Sequence, residues 1–273
     1  MTARARRVAM FDSGLGGLSV YTALREALPD ADIVYAADTA RMPYGDRPLP
    51  QVEAFARQMI AMLRRHDPSL LVIACGTSCS AFAASGFQPG LPTLAIVACG
   101  VAAAAAATAG GRIGVIATAA TIGSGIFERD LLRARPHAVV TSVAAPKLVP
   151  LVEAGAWGTQ AAASAVEEYC QPLRAASCDA VVLGCTHYPH LRRWFARSLG
   201  PEVRLVDPAQ ACADAAARAL AGATPGAGTL TVLVSGDRDV FARRAFELSG
   251  VQPNALESAD FSREVEEPEH SHR

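Results

Sequence analysis

Short β-branched apolar runs recur along this chain, and each is followed by small residues and then by a segment of helical periodicity. The runs that read as strands are Val8–Phe11, Ile33–Ala37, Leu70–Ala74, Thr93–Val97, Ile113–Ala117, Val139–Ala144, Ala180–Gly184, Val203–Val206 and Leu230–Ser235. Helical patterns lie between them, among them Leu18–Leu28, Pro50–His66, Gly123–Ala134, Gly158–Ala175 and Pro208–Ala221. Strands that alternate with helices imply βαβ units, and hence an α/β fold with largely parallel sheets. Ligands of such sheets sit beyond the carboxyl ends of the strands. The residues just after each run are therefore the place to look for chemistry.

Composition narrows the function classes. A chain of 273 residues, 51% of them hydrophobic, can bury a sizeable core in one or two domains. A net charge of −1 provides no basic field for nucleic acid or an anionic membrane. No apolar run reaches the roughly 18 residues of a membrane span, and Ala102–Ala107 reads as part of a packed helix. The basic start, Met1–Arg7, is followed too soon by Asp12 to read as a signal peptide. Seven scattered cysteines without an export signal read as reduced thiols of a cytoplasmic protein. Gly222–Gly228 reads as a loop before the last strand, and the charged, aperiodic Glu264–Arg273 as a solvated tail.

Two runs echo each other. Leu71–Val72–Ile73–Ala74–Cys75–Gly76–Thr77 resembles Val181–Val182–Leu183–Gly184–Cys185–Thr186–His187. Both are apolar strands that end in a small residue, then cysteine, then small or polar residues. A cysteine most often only fills space in a core, and Cys79, Cys99, Cys170, Cys178 and Cys212 carry no signal beyond that. Cys75 and Cys185 differ by standing at strand ends, where a following helix N-terminus can lower a thiol pKa. Two similar halves facing each other would put one thiol on each wall of a cleft, the arrangement that moves a proton between opposite faces of a carbon. No CxxC pair or histidine cluster suggests a metal site, and none is expected.

Other strand ends carry polar groups with two open readings each. Asp12 and Ser13 lead into Gly14–Leu15–Gly16–Gly17; they can cap a helix or, with the glycines, bind a carboxylate or phosphate. The spacing is not that of a dinucleotide fingerprint. The loop Asp38–Gly45, with Pro43 and Tyr44, is turn-rich and follows a strand. Thr118 and Thr121 can be helix caps or substrate donors, and caps are the commoner case. His187, two residues after Cys185, can be structural or can orient the thiol. Lys147 is the only lysine, and no glycine-rich phosphate cradle stands near it, so pyridoxal phosphate chemistry is not expected and no cofactor is called for.

These motifs resemble those of the glutamate racemases, in the aspartate/glutamate racemase superfamily. The resemblance runs from Val8 to about Gly250. It rests on Phe11–Val20, on Ala37–Arg41 with Pro43–Tyr44–Gly45, on Ile73–Ala74–Cys75, on Val149–Gly155, and on Leu183–Pro189. It implies cofactor-independent interconversion of L- and D-glutamate, supplying peptidoglycan, with Cys75 and Cys185 as the two acid/bases. Asp12 and His187 would assist them, and Glu153 would line the site. Ser13, Pro43, Tyr44, Gly45, Gly76, Thr77, Thr118, Thr121 and Thr186 would hold the substrate. It implies two similar doubly wound domains with the site in the cleft between them, near 1–97 plus 208–273 and, inserted, 98–207. A homodimer is the family's common form. Some members restrain DNA gyrase, but this sequence displays no partner surface for that role.

Three departures stand out. Gly76 replaces the asparagine that usually follows the first cysteine, Ala98–Cys99 replace a Glu-Pro, and Ala145 replaces a cysteine. Gly76 cannot supply an amide to a substrate, so two alternatives stay open: a racemase for another amino acid such as aspartate, or a relative of the arylmalonate decarboxylases, whose Gly-Thr-Ser turn Gly76–Thr77–Ser78 resembles.

Overall fold

A computed structural model describes residues 5–262, which leaves the Glu264–Arg273 tail outside the described residues. The first half of the chain runs β1 (Arg7–Asp12), α1 (Gly17–Ala27), β2 (Asp32–Ala37), α2 (Leu49–Arg64), β3 (Leu70–Ile73), α3 (Gly76–Ser85), β4 (Thr93–Ala95) and α4 (Ile96–Ala107). Then come β5 (Arg112–Ala117), α5 (Ala119–Gly123), α6 (Ile126–Ala134), β6 (Val139–Ala144), α7 (Leu148–Glu153), α8 (Gln160–Ala175), β7 (Ala180–Leu183), α9 (Arg192–Leu199) and β8 (Arg204–Val206). The chain closes with α10 (Pro208–Ala219), β9 (Leu230–Val234), α11 (Arg238–Ser249) and β10 (Ala255–Ser258).

The strands form two sheets, ordered β10-β9-β2-β1-β3-β4 and β6-β5-β7-β8, and every pairing in both is parallel. The expected doubly wound α/β architecture is present. The order β2-β1-β3-β4 of the first sheet recurs as β6-β5-β7-β8 in the second, so β3 and β7 hold equivalent places. These are the two strands whose sequences echo each other. β9 and β10 extend only the first sheet. We propose that residues 98–207 form the inserted domain. The chain leaves the first sheet through α4 and returns through α10, and these two helices pack on each other. The bound at residue 97 thus falls in the first turn of α4 rather than in a loop.

Parallel strands are covered on both faces, which is why they read as continuous apolar runs rather than alternating ones. The central strands are buried almost throughout: Val8–Asp12, Ile33–Ala37 and Leu70–Ile73 are all inaccessible or nearly so. Local chemistry sets the helix ends. Asp207 accepts from the Ala209 N–H at 2.9 Å with Pro208 at the first helical position, and Asp237 accepts from Asp239 and Val240 N–H, both at 2.9 Å.

Two boundaries differ from the sequence reading, and one strand is additional. Gly123–Ala134 is one helix only from Ile126; Gly123 ends α5, and Gly125 at φ 66° turns the chain between the two. Thr93–Val97 is strand only to Ala95, since Ile96 opens α4. β10 is an additional strand, a short edge with exposed Glu257 and Ser258 that lacks an apolar run.

Asp32, at the start of β2, ties down the loop before β9. It accepts from Thr229 Oγ1 at 2.7 Å and from the N–H groups of Ala227 and Thr229, each at 3.1 Å. Desolvation opposes its charge, but these donors outweigh it and hold the carboxyl below its ordinary range. A depressed folded value means stability present above the ordinary carboxylate pKa and lost as pH falls through the folded one. Asp32→Ala is expected to cost about 1–3 kcal/mol at neutral pH in urea unfolding. The deficit relative to the parent should shrink in acid.

Candidate active site

Both sheets switch winding direction at their centre, between β1 and β3 in one and between β5 and β7 in the other. Crevices open beyond such switch points. Here the two crevices face each other across one cavity. Asp12 and Ser13 reach it from β1, Pro43, Tyr44, Gly45 and Asp46 from the loop after β2, and Cys75, Gly76 and Thr77 from β3. The second sheet contributes Thr118 and Thr121 after β5, Pro146 and Val149 after β6, and Gly184, Cys185, Thr186 and His187 after β7. One thiol therefore comes from each sheet. Both line the same cavity.

The Cys185 side carries a chain of polar contacts. Its sulfur lies 3.7 Å from His187 Nδ1, and His187 Nε2 lies 2.6 Å from Glu153 Oε1. The same Glu153 oxygen accepts from the Leu15 N–H at 2.8 Å, so the first domain's glycine-rich turn holds a carboxylate of the second. Burial alone would pull the His187 pKa down. Its bonds to Cys185 and Glu153, with their charges, outweigh that and push it well above the usual imidazole value. The buried ring therefore favours its protonated form.

The Cys75 side is the opposite. Burial, then the neighbouring Asp12 carboxylate, push this thiol up and keep it protonated. Asp12 is fully buried, and desolvation raises its own pKa. It accepts from the Gly17 N–H at 2.9 Å and from Thr186 Oγ1 at 3.3 Å, so it caps α1 and also bridges the sheets. Thr118 likewise serves two purposes. It caps α5, accepting from the Thr121 N–H at 3.3 Å, and its hydroxyl meets Thr77 at 3.0 Å and Thr121 at 2.9 Å in the cavity. Tyr44 is held in the wall by its hydroxyl, which donates to buried Asp38; Asp38 also binds Arg41 Nε at 2.7 Å and Ser235 Oγ at 2.7 Å.

The glycines of the first turn serve close approach. A Cβ at Gly14 would strike the Glu153 carboxylate, and one at Gly16 would strike His187 and Thr186. They admit side chains of the facing domain, so the carboxylate that this turn holds is that of Glu153. Gly76 is similar: a Cβ there would come within 2.9 Å of the Gly184 carbonyl oxygen. Any side chain at 76 must push the two walls apart in this conformation. Gly76→Ala is expected to lower stability by about 1–3 kcal/mol, read by thermal or urea unfolding. No change in stability would mean that the walls separate freely.

The sequence matches the Asp/Glu/Hydantoin racemase family model over residues 16–216. The chain belongs to the Asp/Glu/hydantoin racemase family. Among its relatives, a glutamate racemase from Desulforudis audaxviator is 39% identical over 91% of this chain and 96% of its own. The crystal structure of glutamate racemase isoform RacE1 from Bacillus anthracis superposes with TM-score 0.87 at 30% identity, covering 93% of this chain and 97% of that one. Glutamate racemase from Francisella tularensis, solved in complex with D-glutamate, superposes with TM-score 0.85 at 26% identity, over 94% and 98% of the two chains.

The site residues of this racemase named from sequence all converge on the cavity except one. Glu153 does not line it; it stands behind His187, because α7 presents it to Leu15 and to the imidazole. Asp46, Pro146, Val149 and Gly184 line the cavity without having been singled out. Each lies in or near a segment that follows a strand end, so the strand-end rule applied to every strand would have found them. Cys79 is pushed up to about 12 by burial, and Lys147 lies in an exposed pair with Glu168 at 2.7 Å, away from the cavity. Among the described residues no group of three His, Cys, Asp or Glu is placed to hold a metal ion, and no helix is long and apolar enough to cross a membrane.

Proposed function

We propose that this racemase interconverts L- and D-glutamate in the cytoplasm without metal or pyridoxal phosphate, and thereby supplies D-glutamate for peptidoglycan. Cys75 and Cys185 exchange the α-proton across the substrate. The observation that carries this reading is the placement of one thiol from each sheet on one cavity, at the ends of equivalent strands β3 and β7. The relatives are glutamate racemases over nearly the whole chain.

In one direction the Cys185 sulfur, beside the His187 cation, takes the α-proton, and the Cys75 thiol returns one to the opposite face. In the other direction the roles reverse. Negative charge develops on the substrate carbon and carboxylate between these steps and must meet fixed dipoles. The first-turn N–H groups of α3, at Gly76 and Thr77, have no partner within that helix. With the hydroxyls of Ser13, Thr77, Thr118, Thr121 and Thr186, they are our candidates for holding the substrate, with Tyr44 and Gly45 on the opposing loop. Asp12 disfavours charge on Cys75 and keeps it ready as an acid.

Both thiols on one cavity speak for racemisation over a single-thiol decarboxylation. The test is inversion of L- and D-glutamate, followed by chiral chromatography with EDTA and without added cofactor, with aspartate and phenylmalonate alongside. Inversion of glutamate from both sides supports the reading; turnover of aspartate or phenylmalonate without glutamate overturns it. A homodimer is part of the proposal on the family resemblance, and sedimentation equilibrium tests it.

A further inference from the structure

Ser78 is fully buried in the first turn of α3, yet its hydroxyl makes no hydrogen bond of ordinary geometry. An unsatisfied buried hydroxyl costs free energy, and few are left so without a reason. Other serines nearby are satisfied: Ser80 Oγ, two residues on in the same helix, donates to the Gly76 carbonyl at 3.1 Å. The Ser78 hydroxyl and the Ser78 backbone N–H both lie on the side of the Cys75 sulfur. Cys75 occupies the N-cap position of α3, with backbone angles φ −75° and ψ 115°, and Ser78 is the residue three positions on, whose N–H faces an N-cap side chain, although no cap hydrogen bond is formed. A neutral thiol is a weak acceptor, so the contact is slack in the resting protein; a thiolate is a strong one.

We propose that Ser78 is a positioning residue for the reaction: its hydroxyl, with the Ser78 N–H, closes onto the Cys75 sulfur as that thiol gives up its proton, and stabilises the thiolate against Asp12. This rests on the reading of Cys75 as an acid/base. It explains how a thiol held protonated by burial and by a neighbouring carboxylate can still donate during turnover. The charge that Asp12 opposes is met by two donors on the other side, one of which has no other partner.

The experiment compares the full-length parent with Ser78→Ala, Ser78→Thr and Ser80→Ala. Each is alkylated with iodoacetamide between pH 6 and pH 9 (chosen as about the range in which thiols titrate), and Cys75 and Cys185 are followed separately by peptide mass spectrometry. Below its titration midpoint a thiol reacts in proportion to its thiolate fraction. Losing a charge-assisted donor raises the Cys75 pKa by about one unit, so Ser78→Ala should slow Cys75 alkylation about tenfold at every pH. Cys185 should react as in the parent, Ser78→Thr should restore the Cys75 rate, and Ser80→Ala should leave it alone. Racemisation by Ser78→Ala should fall about tenfold in kcat/KM, equally in both directions, because the enantiomers are equal in energy. Unchanged Cys75 alkylation in Ser78→Ala overturns the proposal, and so does equal slowing of both cysteines, which marks a merely structural role. If the parent fails to invert glutamate while Cys75 alone responds to Ser78→Ala, the contact stands and the glutamate reading falls.

Discussion

Replacing either Cys75 or Cys185 with alanine is expected to reduce glutamate racemisation by at least about a thousandfold in both directions. A positioned acid or base contributes about 10²–10⁴-fold, and each turnover uses both thiols, so neither can cover for the other. The variants should not be inert towards the α-proton. Cys75→Ala retains the Cys185–His187–Glu153 chain, with Sγ to Nδ1 at 3.7 Å and Nε2 to Oε1 at 2.6 Å, and should still wash out the α-proton of one enantiomer without inverting it. Cys185→Ala should wash out the other enantiomer, and more slowly, since Cys75 is held protonated by burial and by Asp12. Both thiols are buried, so circular dichroism and unfolding curves should accompany the rates. A single-cysteine variant that still inverts glutamate would contradict the opposed-thiol mechanism.

The second large effect lies one step back from the cavity. Glu153→Gln retains the shape of the side chain but removes the charge that His187 meets at 2.6 Å. A hydrogen bond to a charged group contributes about 1.5–3 kcal/mol, so kcat is expected to fall about 10- to 100-fold. The pH profile should move in a definite direction. The His187 pKa is raised in the parent, so the ring retains its proton until pH rises through that value. Without the Glu153 charge it loses the proton at lower pH, and the alkaline limb of kcat should move down. The same linkage applies to folding: the raised pKa contributes stability fully below the ordinary imidazole value of about 6.5, and that stability is lost as pH rises through the folded value. An alkaline limb that does not move in Glu153→Gln would separate Glu153 from the proton on His187.

Much of this was legible before any coordinates. The nine apolar runs each became a strand because parallel strands, covered on both faces, must be apolar throughout. The echo around Cys75 and Cys185 was faint as sequence, a few residues in each copy. In the fold it corresponds to a repeated strand order, and that is why the two cysteines meet. What sequence could not display was distance. The glycines at 14 and 16 read equally well as a cap or as an anion cradle, and only the packing of Glu153 and His187 onto them shows that the carboxylate held there is the protein's own. Glu153 was expected on the wall because a chain position says nothing of which neighbour intervenes; His187 does. Gly76 read as a missing donor. Its proximity to the Gly184 carbonyl gives it a second meaning, as the residue that lets the two walls close. β10 escaped because an edge strand with exposed polar residues has no apolar signature.

The most direct test of two opposed proton donors is a turnover in D₂O, starting from L-glutamate with no pyridoxal phosphate and with EDTA. Early in the reaction, chiral separation followed by proton NMR gives the α-deuterium content of each enantiomer. Opposed thiols predict that newly formed D-glutamate carries deuterium at the α-carbon while the remaining L-glutamate still carries hydrogen, with the mirror result from D-glutamate. Deuterium entering the starting enantiomer as fast as the product, or inversion that retains the original hydrogen, would mean that one group serves both faces and would contradict the account.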